Sequence, residues 1–363
     1  MKKKRKREQK RNKNKETKLR LFGINSAGLK SKLDSFYDVL KCVNAQIWTI
    51  QETKMKQNEI LKGDMNKNYQ IYYLAREKSQ GGGLAIGISK ELESTLVREG
   101  NDQIEALVVQ LTIEKFPIRI VTAYGPQEND TKEKKEEFWN FLEEEATKAE
   151  LLEHGFILQM DANVHGGTKV VKNDPNVQNN NGKLFEQFLR RNKYLKVGNN
   201  MNLCEVVITR IRNLRNNKTE RAILDFLIIN EKLEPVLEKM VIDEDREFCL
   251  RNYAQVYKNN RVIETDHNSI IADFNIKIPK IKPERIEVFN LRNKKCQELF
   301  TKETQDNTQL VKCFENELPF DIQCKNWLKT FNSILYKCFK KIRVVNKEKK
   351  KRKNTYYLRS KID

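Results

Sequence analysis

No apolar run in this chain approaches the roughly 20 residues that a helix needs to span a bilayer. Its basic N-terminus is not followed by the apolar core of a signal peptide. The two absences exclude an ordinary helical membrane protein and lead us to expect a protein that is not secreted. Cysteine is sparse and unpatterned: Cys42, Cys204, Cys249, Cys296, Cys313, Cys324 and Cys338 are odd in number, scattered, and form no C-x-x-C pair. That excludes a zinc site of familiar spacing and predicts reduced thiols in a nuclear or cytoplasmic compartment. Histidine is scarcer still, with only His154, His165 and His267. The glycine run Gly81-Gly82-Gly83 leads into a strand pattern with no G-K-[ST] after it, which excludes a P-loop. Apolar residues make up 38% of the chain and charged residues 33%, so a folded core is diluted by charged segments.

What is present is charge, unevenly placed. The net +20 divides into +10 over residues 1–20, +11 over residues 281–363 and −1 over residues 21–280. A near-neutral central region with basic ends points to a site with its own chemistry, tethered to a polyanion by its tails. We therefore expect a basic, unfolded segment over 1–18, one domain over 19–280, and a basic helical appendage over 281–363.

Within the central region, Leu19–Asn25 and Ile47–Glu52 read as strands around a helix over Ser31–Val43. Strand patterns follow at Tyr69–Leu74 and Gly82–Ser89, and Glu105–Ile113 and Pro117–Tyr124 read as a hairpin. A helix over Lys134–Glu150 precedes an apolar run, Phe156–Met160, that ends in Asp161-Ala162-Asn163. A short helix over Lys183–Arg191, a basic, amide-rich loop over Val206–Lys218, a strand over Ala222–Ile229 with Asp225 inside it, and a closing strand over Ser269–Ile276 complete the region. Strands alternate with helices, but the hairpins argue for antiparallel pairing. The expected fold is a layered α/β sandwich with mixed sheets, not a doubly wound one. Beyond Ile281 no strand pattern is evident. Apolar residues at Trp327, Phe331, Leu335, Cys338 and Ile342 predict a helix over Cys324–Arg343, packed on something else or contacting nucleic acid.

A polar residue recurs at strand ends: Asn25, Glu52, Tyr124, Asp161 with Asn163, Asp225, and Asp266 with His267. Taken singly, Asp161-Ala162-Asn163 reads first as an Asx turn closing a strand, Glu52 also as a surface residue after a strand, and Tyr124 equally as a half-buried strand tyrosine. If strand geometry persists, Asp161 and Asn163 project the same way. Gathered at one edge of a sandwich, these groups form an oxygen-rich site suited to Mg²⁺, with one imidazole beside it.

In this order the residues resemble the endonuclease/exonuclease/phosphatase superfamily, the DNase I-like fold. Its blocks stand here as Asn25, Gln51-Glu52-Thr53, Tyr124-Gly125-Pro126, Asp161-Ala162-Asn163, Asp225 and Thr265-Asp266-His267. The Gly81–Gly83 run and the Thr209-Arg210 and Leu224-Asp225-Phe226 segments are similar to the apurinic endonuclease-like nicking domains of non-LTR retrotransposons. The resemblance spans about residues 19–280, and the sequence after it resembles the linker to a reverse transcriptase. No Y-x-D-D motif is present in the chain. Thr265 stands where serine is usual, Phe226 where histidine or tyrosine is found, and Ala222 where a serine often sits, so a supporting hydroxyl is expected to be missing.

The resemblance implies a four-layered α/β sandwich of two mixed, mainly antiparallel sheets, DNase I-like, and a role for each residue. Glu52 is the leading Mg²⁺ ligand, helped by Asn25 or Asp266, with Mn²⁺ a possible substitute. Asp161 orients or deprotonates the attacking water, or protonates the leaving oxygen. Asn163 binds the scissile phosphate, and Tyr124 contacts the phosphate or leaving group. His267 faces the phosphate, oriented by Asp266, and Asp225 orients the amide or the imidazole. Thr209, Arg210, Arg212 and Arg215 are the DNA-contacting candidates. The implied activity is Mg²⁺-dependent nicking of DNA that leaves a 3′-hydroxyl, with DNA as partner, RNA on the basic tails, and a reverse transcriptase nearby. The alternatives are an abasic-site repair nuclease, a phosphatase of phosphoinositide or phospholipid head groups, and a catalytically decayed nucleic-acid-binding remnant.

Overall fold

A computed structural model describes residues 18–56, 65–75, 82–101, 103–114, 116–214, 218–252, 264–278, 285–289, 294–305, 307–312, 320–338 and 341–345. The chain divides into two compact units, Met1–Pro279 and Lys280–Asp363.

In the first unit the elements run β1 (Lys18–Asn25), α1 (Leu33–Val43), β2 (Ile47–Gln51), α2 (Met65–Asn68), β3 (Tyr69–Leu74), β4 (Leu84–Ser89), β5 (Glu93–Glu99), β6 (Glu105–Ile113) and β7 (Phe116–Tyr124). Then come α3 (Lys132–Leu151), β8 (Gly155–Asp161), α4 (Asn180–Arg191), β9 (Leu195–Val197), β10 (Arg210–Asn213), β11 (Thr219–Ala222), β12 (Asp225–Asn230), β13 (Leu237–Ile242) and β14 (Ile270–Lys277). One six-stranded sheet has the order β13-β14-β1-β2-β4-β3, and the other has the order β5-β6-β7-β8-β12-β9. Only β1–β2 and β7–β8 pair in parallel within them; the other neighbours are antiparallel.

Side-chain alternation builds the layers. Leu19 and Leu21 of β1 join Leu107 and Val109 of β6, Ile157 of β8 and Leu227 of β12 in a core between the sheets. The residues of opposite parity, Phe22 and Ile24, pack with Phe36, Val39 and Leu40 of α1. On the far side, Val108 and Leu158 pack with Phe138, Trp139 and Leu142 of α3 and with Phe185 and Phe188 of α4. The result is four layers, helix–sheet–sheet–helix. Strands covered on both faces explain the nearly unbroken apolar runs seen in β1, β8 and β12. Each large side chain so buried contributes about 1.5–3 kcal/mol.

The middle of the sandwich is not wholly apolar. Gln51 Nε2 donates to Thr122 Oγ1 at 2.6 Å and to Gln159 Oε1 at 2.5 Å, and Thr49 Oγ1 donates to Gln159 Oε1 at 2.6 Å. A Cβ on Gly23 would stand 2.5 Å from Gln159 Cδ, so glycine lets this polar layer cross from one sheet to the other. The layer lies one residue behind Glu52 and two behind Asp161 in the chain.

Several elements differ from the sequence-based expectation. The segment read as a loop over Val206–Lys218 forms a ribbon, Arg210–Asn213 pairing with Thr219–Ala222. The strand read over Ala222–Ile229 is broken at Ile223-Leu224, so Asp225 opens β12 instead of lying within a strand. Strands β5, β9 and β13 were not legible, being short or half-polar.

The second unit contains β15 (Arg285–Phe289), α5 (Lys294–Gln305), α6 (Thr308–Lys312), α7 (Phe320–Cys338) and β16 (Lys341–Val345). β15 and β16 pair antiparallel, with Val288 opposite Ile342. This corrects the expectation of no strand beyond Ile281: each strand is only five residues long and alternates charged with apolar residues. It also ends the last helix at Cys338, leaving Ile342 in a strand. The partner of that helix is within the unit, where Phe331 packs edge-on to Phe300 and stacks on Trp327. Among the described residues no helix is long and apolar enough to cross a membrane. The basic 1–17 segment and the Lys347–Lys353 run lie outside the described residues.

Candidate active site

Strand pairing alone brings the candidate residues to one edge. In the parallel pair β1–β2, Asn25 is level with Gln51, so Asn25 and the following Glu52 leave the first sheet together. In the parallel pair β7–β8, Tyr124 is level with Asp161. The antiparallel pair β8–β12 sets Asp225 opposite Asp161. Because β14 runs antiparallel to β1, the loop ahead of it arrives beside Asn25, where Thr265 Oγ1 donates to the Asn25 carbonyl at 2.7 Å.

Asn25 bridges the two sheets. Its Nδ2 donates to Asp161 Oδ2 at 2.7 Å and to Glu52 Oε1 at 3.3 Å, while its Oδ1 accepts from Ala27 N at 2.9 Å. Glu52 Oε1 also accepts from the Tyr124 hydroxyl at 2.8 Å, and its Oε2 lies 2.9 Å from Lys54 Nζ. Burial works to raise the Glu52 carboxyl, but the bonds from Lys54, Tyr124 and Asn25 outweigh it and hold the group below the usual range. Burial, and then the charges of Asp161 and Glu52, push the Tyr124 hydroxyl far upward, so it stays protonated and donates. Gln127 Nε2 donates to that hydroxyl at 2.9 Å.

His267 is buried, with its Nδ1 2.8 Å from Asp225 Oδ2 and its Nε2 3.9 Å from both Asp161 Oδ2 and Asp266 Oδ1. The expected orienting role of Asp266 is corrected here. Asp225 holds the imidazole, while Asp266 Oδ2 accepts from Arg210 Nε at 2.8 Å. Burial pulls the imidazole down, but the charge and hydrogen bond of Asp225, with Asp161 and Asp266 behind it, hold it up at about 9. Asp161 moves the other way from an ordinary carboxylate. Burial, then the charge of Asp225, raises it to about 7, against the pull of His267 and the Asn25 bond.

Asn163 does not continue the strand. Its φ of 49° lies in the left-handed region, its N–H caps Asp161 Oδ1 at 3.0 Å, and its Nδ2 donates to the Gly125 carbonyl at 2.8 Å. The Asx turn and the buried carboxylate are thus the same feature. Thr209, expected at a DNA surface, is fully buried, and its Oγ1 accepts from Leu224 N at 2.9 Å and Asp225 N at 3.0 Å. A hydroxyl therefore does support Asp225, and it comes from Thr209 while Ala222 has none. Arg210 is committed to Asp266, Arg212 is exposed on the ribbon, and Arg215 lies outside the described residues. Lys54 and Gln127 are site residues that sequence reasoning missed, although each directly follows a recognised block, Q-E-T and Y-G-P. His154 and His165 lie outside the cluster; His154 Nδ1 meets Gln110 Oε1 at 3.2 Å.

Two places at this edge offer ligating atoms for a metal: the Asp161, Asp225 and His267 cluster, and Glu52. Asp161, Asp225 and His267 each offer an atom within 4.8 Å of the others. The 2.8 Å contact of His267 with Asp225 is a hydrogen bond, and the mixed set suits a softer ion than Mg²⁺. Glu52, half-buried with its carboxyl held below the usual range and paired with Lys54, fits a hard divalent cation better.

No family model and no curated protein matches the chain. Solved structures do. The endonuclease domain of TRAS1, a telomere-specific non-LTR retrotransposon, matches with a TM-score of 0.51 at 14% identity, over 70% of this chain and 98% of that one. The fold is the DNase I-like fold of the endonuclease/exonuclease/phosphatase proteins. A 3′-5′ exonuclease from Neisseria meningitidis shares this DNase I-like fold with a TM-score of 0.52 at 14% identity, over 71% of this chain and 100% of that one. An AP endonuclease from Archaeoglobus fulgidus does so with a TM-score of 0.51 at 15% identity, again over 71% and 100%.

Proposed function

We propose that this chain is a divalent-metal-dependent phosphodiesterase that nicks DNA and leaves a 3′-hydroxyl, with Mg²⁺ the expected ion and Mn²⁺ a substitute. The observation that carries the reading is the junction of Asp161 with His267 and Asn25, a buried carboxylate facing a buried imidazolium at the edge of both sheets. Glu52 would hold the cation, helped by Asn25 or Asp266; when bound, the ion supplies charge stabilisation for a phosphoryl oxygen.

The chain's own groups divide the remaining work. Asp161, titrating near neutrality at about 7, is matched to taking a proton from water or returning one to the leaving oxygen. His267, kept cationic by Asp225, presents Nε2 to the negative charge that grows on the phosphate. Tyr124 stays protonated and donates, and Asn163 fixes the turn that carries it. Arg212 on the exposed ribbon and the basic ends suit a polyanionic substrate, which favours nucleic acid over small phosphate esters. The resemblance of the Gly81–Gly83, Thr209-Arg210 and Leu224-Asp225-Phe226 segments to retrotransposon nicking domains supports placement in a retrotransposon or a remnant of one, beside a reverse transcriptase.

The test is nicking of supercoiled plasmid with Mg²⁺, alongside EDTA, Glu52→Ala and His267→Ala. Wild-type nicking with silence in all three controls supports the reading. A folded wild type that leaves plasmid intact, or nicks equally well in EDTA, overturns it.

A further inference from the structure

Lys32 is only 4% exposed, an unusual place for an ammonium. Its Nζ donates to three successive backbone carbonyls, those of Ser26 at 2.7 Å, Ala27 at 3.1 Å and Gly28 at 3.1 Å. Three N–H donors therefore meet three carbonyl oxygens, an arrangement of the kind that binds a monovalent cation.

The loop so held is the one that grips the Glu52 segment. Gly28 N donates to the Glu52 carbonyl at 2.8 Å, Ser26 Oγ to the same carbonyl at 2.9 Å, and Leu29 N to the Thr53 carbonyl at 2.9 Å. Ala27 N donates to Asn25 Oδ1 at 2.9 Å and so turns the Asn25 Nδ2 toward Glu52 and Asp161. Ala27 and Glu52 both adopt left-handed backbone, at φ 46° and 49°. Non-glycine residues keep that conformation where surrounding contacts impose it.

We infer that Lys32 is the positioning residue of the cation site, its ammonium clamping the 26–28 carbonyls so that Asn25 and Glu52 are held in place. The inference rests on the reading of Glu52 as the cation ligand. Without the ammonium, three carbonyls lose their donor and the loop relaxes to find others. Glu52 and the Asn25 bridge are disturbed with it, because the Glu52 and Thr53 carbonyls accept from Gly28 and Leu29 and Asn25 Oδ1 accepts from Ala27, while Thr53 N and Lys54 N stay tied to Gly83 and Gly82.

The experiment measures Mn²⁺ binding to the full chain, without DNA, by the electron paramagnetic resonance signal of free Mn²⁺. Lys32→Met keeps the stem's packing and removes the donors; it is expected to weaken Mn²⁺ binding by about 10- to 100-fold, the usual cost of losing a group that orients a ligand. Lys32→Ala opens room for a small amine, and propylammonium is expected to restore part of the loss where tetramethylammonium at equal ionic strength does not. A folded Lys32→Met protein with wild-type affinity overturns the proposal. So does a loss that both amines leave unchanged, or failure of both variants to fold by circular dichroism. A wild type that neither binds Mn²⁺ nor nicks DNA fails the Glu52 reading instead, a result visible before any Lys32 variant is compared.

Discussion

Asp225 and His267, 42 residues apart in sequence, meet at 2.8 Å with both side chains buried. The pairing fixes the ring: Nδ1 faces Asp225, so Nε2 faces Asp161 and the open edge. A buried imidazole without a carboxylate would be neutral. Asp225 is what makes it a cation, and Asp225 owes its place to the Thr209 hydroxyl beneath its N–H.

Loss of this pair should be severe and specific. Asp225→Asn keeps the shape and removes the charge that sustains the imidazolium. Nicking rates should fall by about 10²–10⁴ for His267→Ala, and by a large part of that for Asp225→Asn. Binding to DNA in EDTA, read by gel shift, should change little in either. Parallel loss of binding and nicking would contradict the assignment.

The pH dependence of stability has a definite sign. The native imidazole titrates at about 9 against an ordinary 6.5, so between these values the folded chain keeps a proton that the unfolded chain has lost. That stabilisation is complete below 6.5 and disappears as pH rises through about 9. Asp161 acts in the same direction at lower pH, between its ordinary 3.8 and about 7. The melting temperature of EDTA-treated protein should therefore fall from pH 6.5 to 9, and His267→Gln should flatten that fall. A melting temperature that climbs across this range would refute the buried imidazolium.

Thr209 separates support from contact. Thr209→Val preserves volume and leaves the N–H groups of Leu224 and Asp225 without an acceptor, at a cost of about 1–3 kcal/mol in urea unfolding. Thr209→Ser should restore most of it. A stability change under about 0.5 kcal/mol for Thr209→Val would show that the hydroxyl carries nothing.

Arg212 should behave as a phosphate contact. Arg212→Ala is expected to weaken DNA binding evenly across sequences and lower the salt-dependence slope by about 1. Unchanged affinity and slope would remove the ribbon from the DNA surface.

The polar layer between the sheets should be intolerant of added volume. Gly23→Ala drives a methyl into Gln159 and should cost about 1–3 kcal/mol. It should also lower nicking, because Gln159 and Gln51 lie just behind Asp161 and Glu52. A fully stable, fully active Gly23→Ala protein would show that the layer is plastic.

Much of this was open to a reader of the sequence. Short apolar runs and hairpins were enough for a layered sandwich with mixed sheets, and the order of Asn25, Glu52, Tyr124, Asp161 and Asp225, through its resemblance to the DNase I-like proteins, for the two sheets and the shared edge. These are local features: a period of two and a turn residue are visible within a few positions. The two strands of the second unit were missed for the same reason, since five residues alternating with lysine, arginine and glutamate carry too little pattern.

What the sequence by itself determined is therefore most of the groups at the site, though not Lys54 or Gln127, and the strand ends at or beside which Asn25, Glu52, Tyr124 and Asp161 sit. Only the tertiary structure decided who touches whom. That Asp225 and not Asp266 holds His267, that Thr209 faces inward and Arg210 pairs with Asp266, and that Lys32 clamps the loop beside Glu52 all depend on the register between strands distant in the chain. Register is set by the packing of two whole sheets and their helices, and no single stretch of sequence contains it.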